Sequence, residues 1–259
     1  MALIHCQIDS KILDLEMSVN VILPDGVETL PAELPTLYLL HGLSGNYSSW
    51  CRKTAIERYA SAYKVAIVMP EVHRSFYTDM AVGYPYWTFL SEELPTMMEY
   101  YFPLSKKRED RFVAGLSMGG YGAMKWALGC PDKFSYAASL SGAVDLYYQY
   151  QITQNAPEME AIRPEMENIF GDLDRFEGSP NDLFTLMKQA KKRSELPELF
   201  VLCGTEDFLY PSHLHFLEGL ELQDIQAKVF EEPGAHEWDF WDRNIQRVLA
   251  WLPIEKQGE

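Results

Sequence analysis

Gly115-Leu116-Ser117-Met118-Gly119 sets a serine hydroxyl among glycines at the spacing G-x-S-x-G. A serine hydroxyl attacks a carbonyl only when a base takes its proton, and the base works only when a third group orients it. Candidates for both follow in the chain: Asp207, with Glu206 beside it as runner-up, and then His236. Serine, acid, histidine in that order belongs to a strand–turn–helix nucleophile elbow. The chemistry it permits is acyl transfer through a covalent serine ester. His73 and Asp79 precede the serine and fail the order. His213 and His215 fall on an expected helix and read as packing or surface residues.

The elements around the serine fit this demand. Residues 111–114 read as a short buried strand and residues 123–128 as a helix, with Gly115, Gly119 and Gly120 giving the room a sharp turn needs. Residues 36–40 form a continuous apolar run, expected as a strand buried on both faces. It ends in His41-Gly42-Leu43-Ser44-Gly45-Asn46, at the carboxyl end of a strand, where open α/β sheets carry their chemistry. Gly42 lets the backbone approach a substrate. The Leu43 N–H is the expected oxyanion donor, paired with the Met118 N–H just after the serine. His41 is expected to shape this loop rather than to move protons. Asp207 follows the apolar run 199–204, and His236 follows a strand over 227–231. Ser117, Asp207 and His236 therefore each stand at the carboxyl end of a separate strand.

Residues 12–23 alternate, with Leu13, Leu15, Met17, Val19, Val21 and Leu23 on one side and Asp14, Glu16, Ser18 and Asn20 on the other. This predicts an antiparallel strand with one wet face, paired with residues 3–8. Residues 65–70 and 136–141 are further buried strands, with Asp145 beyond the second. Helices are expected over 49–63, 88–101, 212–221 and 240–251. The loop 76–87 carries Tyr77, Tyr84, Tyr86 and Trp87. It reads either as core or as the lining of an acyl or alcohol pocket, with Trp87 and Tyr84 as the substrate contacts. Residues 146–196 are polar, helix-prone and broken at Pro157, Pro164, Gly171 and Gly178-Ser179-Pro180. They read as a helical, lid-like insertion over the site within a single domain spanning 1–259. The fold class is α/β: a mostly parallel sheet with antiparallel N-terminal strands and helices on both faces.

Composition sets limits. The chain has 259 residues, 47% of them hydrophobic, enough for one large core. A formal charge of −16 disfavours nucleic acid and anionic membranes as partners. Cys6, Cys51, Cys130 and Cys203 show no zinc spacing, and free thiols are the expected state. Neither a signal peptide nor a membrane-length apolar run is visible, so the cytoplasm is the expected location.

The segments 113–123 (VAGLSMGGYGA), 39–46 (LLHGLSGN) and 233–238 (PGAHEW) together resemble the esterase D family of α/β-hydrolases, most nearly its bacterial tributyrin esterases, over nearly the whole chain. That family also holds S-formylglutathione hydrolases, feruloyl and acetyl-xylan esterases, and mycolyltransferases of the antigen 85 type. The resemblance implies a serine carboxylesterase acting on short-chain acyl esters, with Ser117, Asp207 and His236 as triad and the Leu43 and Met118 amides as oxyanion hole. It implies a small-molecule ester as substrate, no cofactor, no metal, and a homo-oligomer. Feruloyl or acetyl-xylan esters and S-formylglutathione are the alternative substrates, although His41-Gly42 departs from the S-formylglutathione hydrolase pattern. A hydrolase-fold protein that only binds a ligand is the alternative outside enzymes.

Overall fold

The computed structural model describes residues 1–25, 31–193 and 196–256. The strands are β1 (Ala2–Ser10), β2 (Leu15–Leu23), β3 (Thr36–Leu40), β4 (Ala66–Pro70), β5 (Arg111–Leu116), β6 (Tyr136–Leu140), β7 (Glu198–Gly204) and β8 (Lys228–Glu232). They form one sheet in the order β1-β2-β4-β3-β5-β6-β7-β8. β1 pairs antiparallel with β2, and β2 antiparallel with β4; every pairing from β4 through β8 is parallel. This is the α/β class expected, with its antiparallel N-terminal hairpin.

Every residue of β3 and β4 is buried because helices cover both faces of the central sheet. Side chains alternate between two cores. Tyr38, Leu40, Val68 and Val113 point toward the helix Met118–Gly129, where Tyr121 and Trp126 meet them. Leu37, Leu39, Ile67 and Phe112 point the other way, toward Phe240, Ile245 and Val248 of the helix Trp238–Trp251. The site thus sits on a sheet clamped from both sides.

Several expectations are corrected. The second face of β2 is not wet along its length: Asn20 and Ile22 are buried, and Asn20 Nδ2 donates to the Tyr47 carbonyl at 3.4 Å. The helix expected over 49–63 is two short ones, Ser49–Lys53 and Ile56–Ala60, parted at an extended Thr54. Asp242 accepts from the Ala55 N–H at 2.9 Å and holds the break. The helix expected over 88–101 starts at Tyr86 and contains a π-turn, Phe89–Glu93, just before Pro95. Proline has no N–H to give the Ser91 carbonyl, and Lys133 Nζ donates to that carbonyl at 2.7 Å instead.

The insertion between β6 and β7 carries the helices Leu146–Thr153, Pro157–Phe170 and Leu183–Lys192. Pro157 starts a helix rather than breaking one, as its missing N–H allows. Pro164 lies inside the same helix, on its exposed side, where a lost backbone bond costs least. Residues 194–195 of the expected insertion and 257–259 of the domain lie outside the described residues.

Candidate active site

β5 ends at Leu116 and the next helix begins at Met118, so one residue makes the whole turn. That residue is Ser117, at φ 54° and ψ −119°. A non-glycine residue there stores about 1–3 kcal/mol of strain. The surroundings over-determine it. Its N–H donates to the Leu140 carbonyl at 3.0 Å, and its carbonyl accepts from the N–H groups of Gly120, Tyr121 and Ala143 at 2.9, 3.1 and 3.1 Å. The turn closes only because Gly115 and Gly119 lack side chains. A Cβ on Gly115 would lie 2.3 Å from the Gly119 carbonyl oxygen, and one on Gly119 would lie 2.5 Å from that of Leu40.

Ser117 Oγ lies 2.9 Å from His236 Nε2, and His236 Nδ1 lies 2.8 Å from Asp207 Oδ2. Asp207 Oδ1 accepts from the Leu209 N–H at 2.8 Å, so both oxygens of this buried carboxylate are used. With Asp207 accepting, the network assigns the imidazole proton to Nδ1 and leaves the Nε2 lone pair facing the hydroxyl. Such a chain can withdraw the hydroxyl proton and hold the imidazolium that forms. Glu206 is exposed and outside the network. Asp145 is engaged elsewhere: Oδ2 pairs with His215 Nδ1 at 2.6 Å, and Oδ1 caps the helix Leu146–Thr153 through the Tyr148 N–H at 3.0 Å.

His41 is fully buried behind the loop it begins. The Val72 N–H donates to its Nε2 at 3.2 Å, which leaves Nδ1–H to donate to the Gly42 carbonyl at 2.8 Å. The Gly45 N–H donates to the same carbonyl at 2.9 Å. A trans peptide is planar, so fixing the Gly42 carbonyl aims the Leu43 N–H the opposite way. The Leu43 and Met118 N–H groups donate to no carbonyl of the described residues. Gly42 itself abuts the turn, since a Cβ there would lie 3.4 Å from that of Ser117. Glu71 supports the arrangement from below, 3.3 Å from His41 Nε2. Burial pushes its carboxyl up, but the neighbouring His41 imidazole and the hydrogen bond from the His73 N–H outweigh that and hold it below the ordinary range.

An apolar cavity of about 550 Å³ opens at Ser117. Leu43 and Phe76 line it from the core. Tyr150, Met166, Phe170 and Phe176 line it from the insertion. Trp87 and Tyr84, expected as substrate contacts, do not line it. The Trp87 ring packs on Gly129 and Lys125, and Tyr84 is half exposed against Tyr86. The loop turns inward earlier than the aromatic count suggests. Phe76 and Tyr77, at φ 49° and 53°, send one ring into the cavity and one hydroxyl to the His41 carbonyl at 2.8 Å. An insertion over the site was expected; which of its side chains line the cavity is what sequence reasoning missed, since no local pattern marks them.

Lys125 was also missed. It is fully buried on the helix after Ser117. Its Nζ lies 3.0 Å from the Tyr77 carbonyl, 2.8 Å from Asn181 Oδ1 and beside Thr78 Oγ1, under the face of Trp87 at 4.8 Å. It thereby ties the helix, the aromatic loop and the insertion together. Burial pushes its amine down to about 7, opposed by the charge of Asp79. The unfolded chain then holds this proton between about pH 7 and 10.5 while the folded chain does not, so the group makes stability rise with pH across that window. The stability gap between wild type and Lys125→Met is expected to shift in favour of wild type as the pH rises from 7 to 10, by at most about 1.4 kcal/mol per pH unit. Urea titrations at pH 7, 8.5 and 10 measure it, and a gap independent of pH would contradict a neutral buried amine.

Comparison with known proteins decides the family. The Esterase family model matches residues 10–252. The chain belongs to the Esterase family. An acetyl esterase of Caldicellulosiruptor saccharolyticus is 31% identical, over 97% of this chain and 98% of its own. Two solved structures from Staphylococcus aureus are each 36% identical and cover 97% of this chain and 98% of theirs. One is the fluorophosphonate-binding serine hydrolase FphF, substrate bound, with a TM-score of 0.87; the other is the S-formylglutathione hydrolase FrmB, with a TM-score of 0.84. This esterase is therefore a serine carboxylic ester hydrolase with the α/β-hydrolase fold. Among the described residues, no helix is long and apolar enough to cross a membrane.

Proposed function

We propose that the esterase hydrolyses short-chain acyl esters, short-chain triacylglycerols such as tributyrin among them. Ser117 attacks the ester carbonyl as His236 Nε2 takes its proton. Asp207 holds the imidazole in the required tautomer and stabilises the imidazolium. The Leu43 and Met118 N–H groups receive the oxyanion. His236 then gives its proton to the departing alcohol, and water cleaves the acyl-enzyme by the same route. No cofactor enters any step.

The observation that carries this reading is the hydrogen-bonded line from Ser117 through His236 to Asp207 at the mouth of an apolar cavity. At about 550 Å³ the cavity lies in the size range that holds a drug-sized ligand, more than an acetyl or butyryl group alone fills. A short-chain ester with several acyl arms uses that space. Among the described residues no charged side chain lines the cavity, which offers little to the carboxylates and ammonium of glutathione. The insertion helices act as a lid-like wall over the substrate. Four free thiols fit a reducing cytoplasm. The homo-oligomer rests on the family resemblance.

Initial rates on p-nitrophenyl esters from acetate to laurate, with tributyrin beside them, test the substrate class. The expected profile is highest at or below butyrate and falls beyond it, with tributyrin turned over. A flat profile without tributyrin hydrolysis contradicts the short-chain reading. The 36% identity to a structure described as an S-formylglutathione hydrolase favours one second reading, a thioester substrate. A kcat/KM for S-formylglutathione above that for every ester would establish it instead.

A further inference from the structure

Phe208 directly follows Asp207, and its ring centroid lies 4.6 Å from that of His236. Its placement is fixed on both sides. Asp207 is held by His236 and by its own N–H on the Gly204 carbonyl at 3.1 Å, and Leu209 is buried and donates to Asp207 Oδ1. The ring between them is nevertheless 63% exposed. Among the described aromatic side chains that line the cavity it alone is mostly exposed, which puts it at the rim while Phe76, Tyr150 and Phe176 lie buried within.

The imidazole has other support than this ring. Trp241 is buried and meets it edge-on at 4.9 Å, braced in turn by Trp238 at 5.2 Å. Asp207 fixes its rotation. An exposed aromatic face beside a group already held is costly to keep in water and free to receive something else. What passes there follows from the reaction proposed above. His236 Nε2 returns a proton to the alcohol oxygen, so the departing alcohol must lie against the imidazole. The acyl group stays on Ser117.

We propose that Phe208 is the alcohol-side specificity residue, a platform on which an aromatic or other flat apolar leaving group packs. The inference rests on the hydrolase reading above, and its test separates the two. The quantity to measure is the ratio of kcat/KM for phenyl butyrate to that for ethyl butyrate, which share one acyl-enzyme. Phe208→Ala is expected to lower this ratio by about 3- to 10-fold relative to wild type, the worth of one aromatic pairing. Phe208→Tyr, which keeps the ring, is expected to retain it. Equal losses on the two esters would leave the ratio unchanged and overturn the proposal, making Phe208 a support for the imidazole. Loss of the ratio in Phe208→Tyr as well would overturn it too. Failure of the underlying reading has a different mark: both esters would still be hydrolysed by Ser117→Ala.

Discussion

Ser117→Ala is expected to lower kcat on p-nitrophenyl butyrate by a factor on the order of 10⁶, with the urea midpoint close to wild type. The loss is large because nothing else near the mouth of the cavity can form the acyl-enzyme. Among the described residues, its wall is apolar and the other hydroxyls that line it belong to Tyr147, Tyr150 and Thr153, none of them hydrogen-bonded to His236. The fold is spared because the strain at φ 54° belongs to the backbone, and alanine meets the same penalty there as serine. The four backbone hydrogen bonds that hold the residue involve only its main chain. The one bond lost is the hydroxyl contact with His236, worth about 1 kcal/mol net. Substantial turnover by this variant would remove Ser117 from the mechanism.

Asp207→Asn is expected to cost about 10⁴-fold in kcat with little change in structure. The reason lies in the count of donors. Two N–H groups face the carboxylate, His236 Nδ1–H at Oδ2 and the Leu209 amide at Oδ1. A carboxylate accepts both, whereas an amide has one oxygen and must turn its NH₂ toward one of them. If the oxygen serves the fixed Leu209 amide, the NH₂ faces His236. The imidazole then carries its proton on Nε2 and cannot accept the one from Ser117. Glu206→Gln is the matched control, because Glu206 is exposed and has no contact with His236. It is expected to stay within about 2-fold of wild type, as surface changes usually do. A larger loss for Glu206→Gln than for Asp207→Asn would exchange the roles of the two acids.

The parts of the site legible in the sequence are those that local geometry constrains. A one-residue turn between a buried strand and a helix admits only glycine at residues 115 and 119, so the G-x-S-x-G spacing carries structural content. Apolar runs buried on both faces marked β3 to β7 nearly to the residue, which placed Asp207 beyond the end of β7, and the strand read over 227–231 placed His236 beyond that of β8. The π-turn near Pro95 and the break at Thr54 were not legible, because each depends on a distant partner, Lys133 and Asp242. The side chains that line the cavity were not legible either. Many come from residues 146–176 of the insertion, and only tertiary packing brings them against Leu43 and Phe76 of the core. The aromatic loop misled for a related reason. Composition does not reveal that positive φ at residues 76 and 77 turns Phe76 inward and leaves Tyr84 and Trp87 outside. Nothing in the sequence sets Lys125 apart from an ordinary helix cation, and only the fold shows three acceptors closing around it.

The central claim is that Ser117 is activated by His236 to form a covalent intermediate. Labelling with a fluorophosphonate, read by intact mass and peptide mapping, tests it most directly. The account predicts one adduct per chain, on Ser117, absent in Ser117→Ala and formed far more slowly in Asp207→Asn. An adduct on another residue would contradict it. So would ester turnover by a chain that takes up no label.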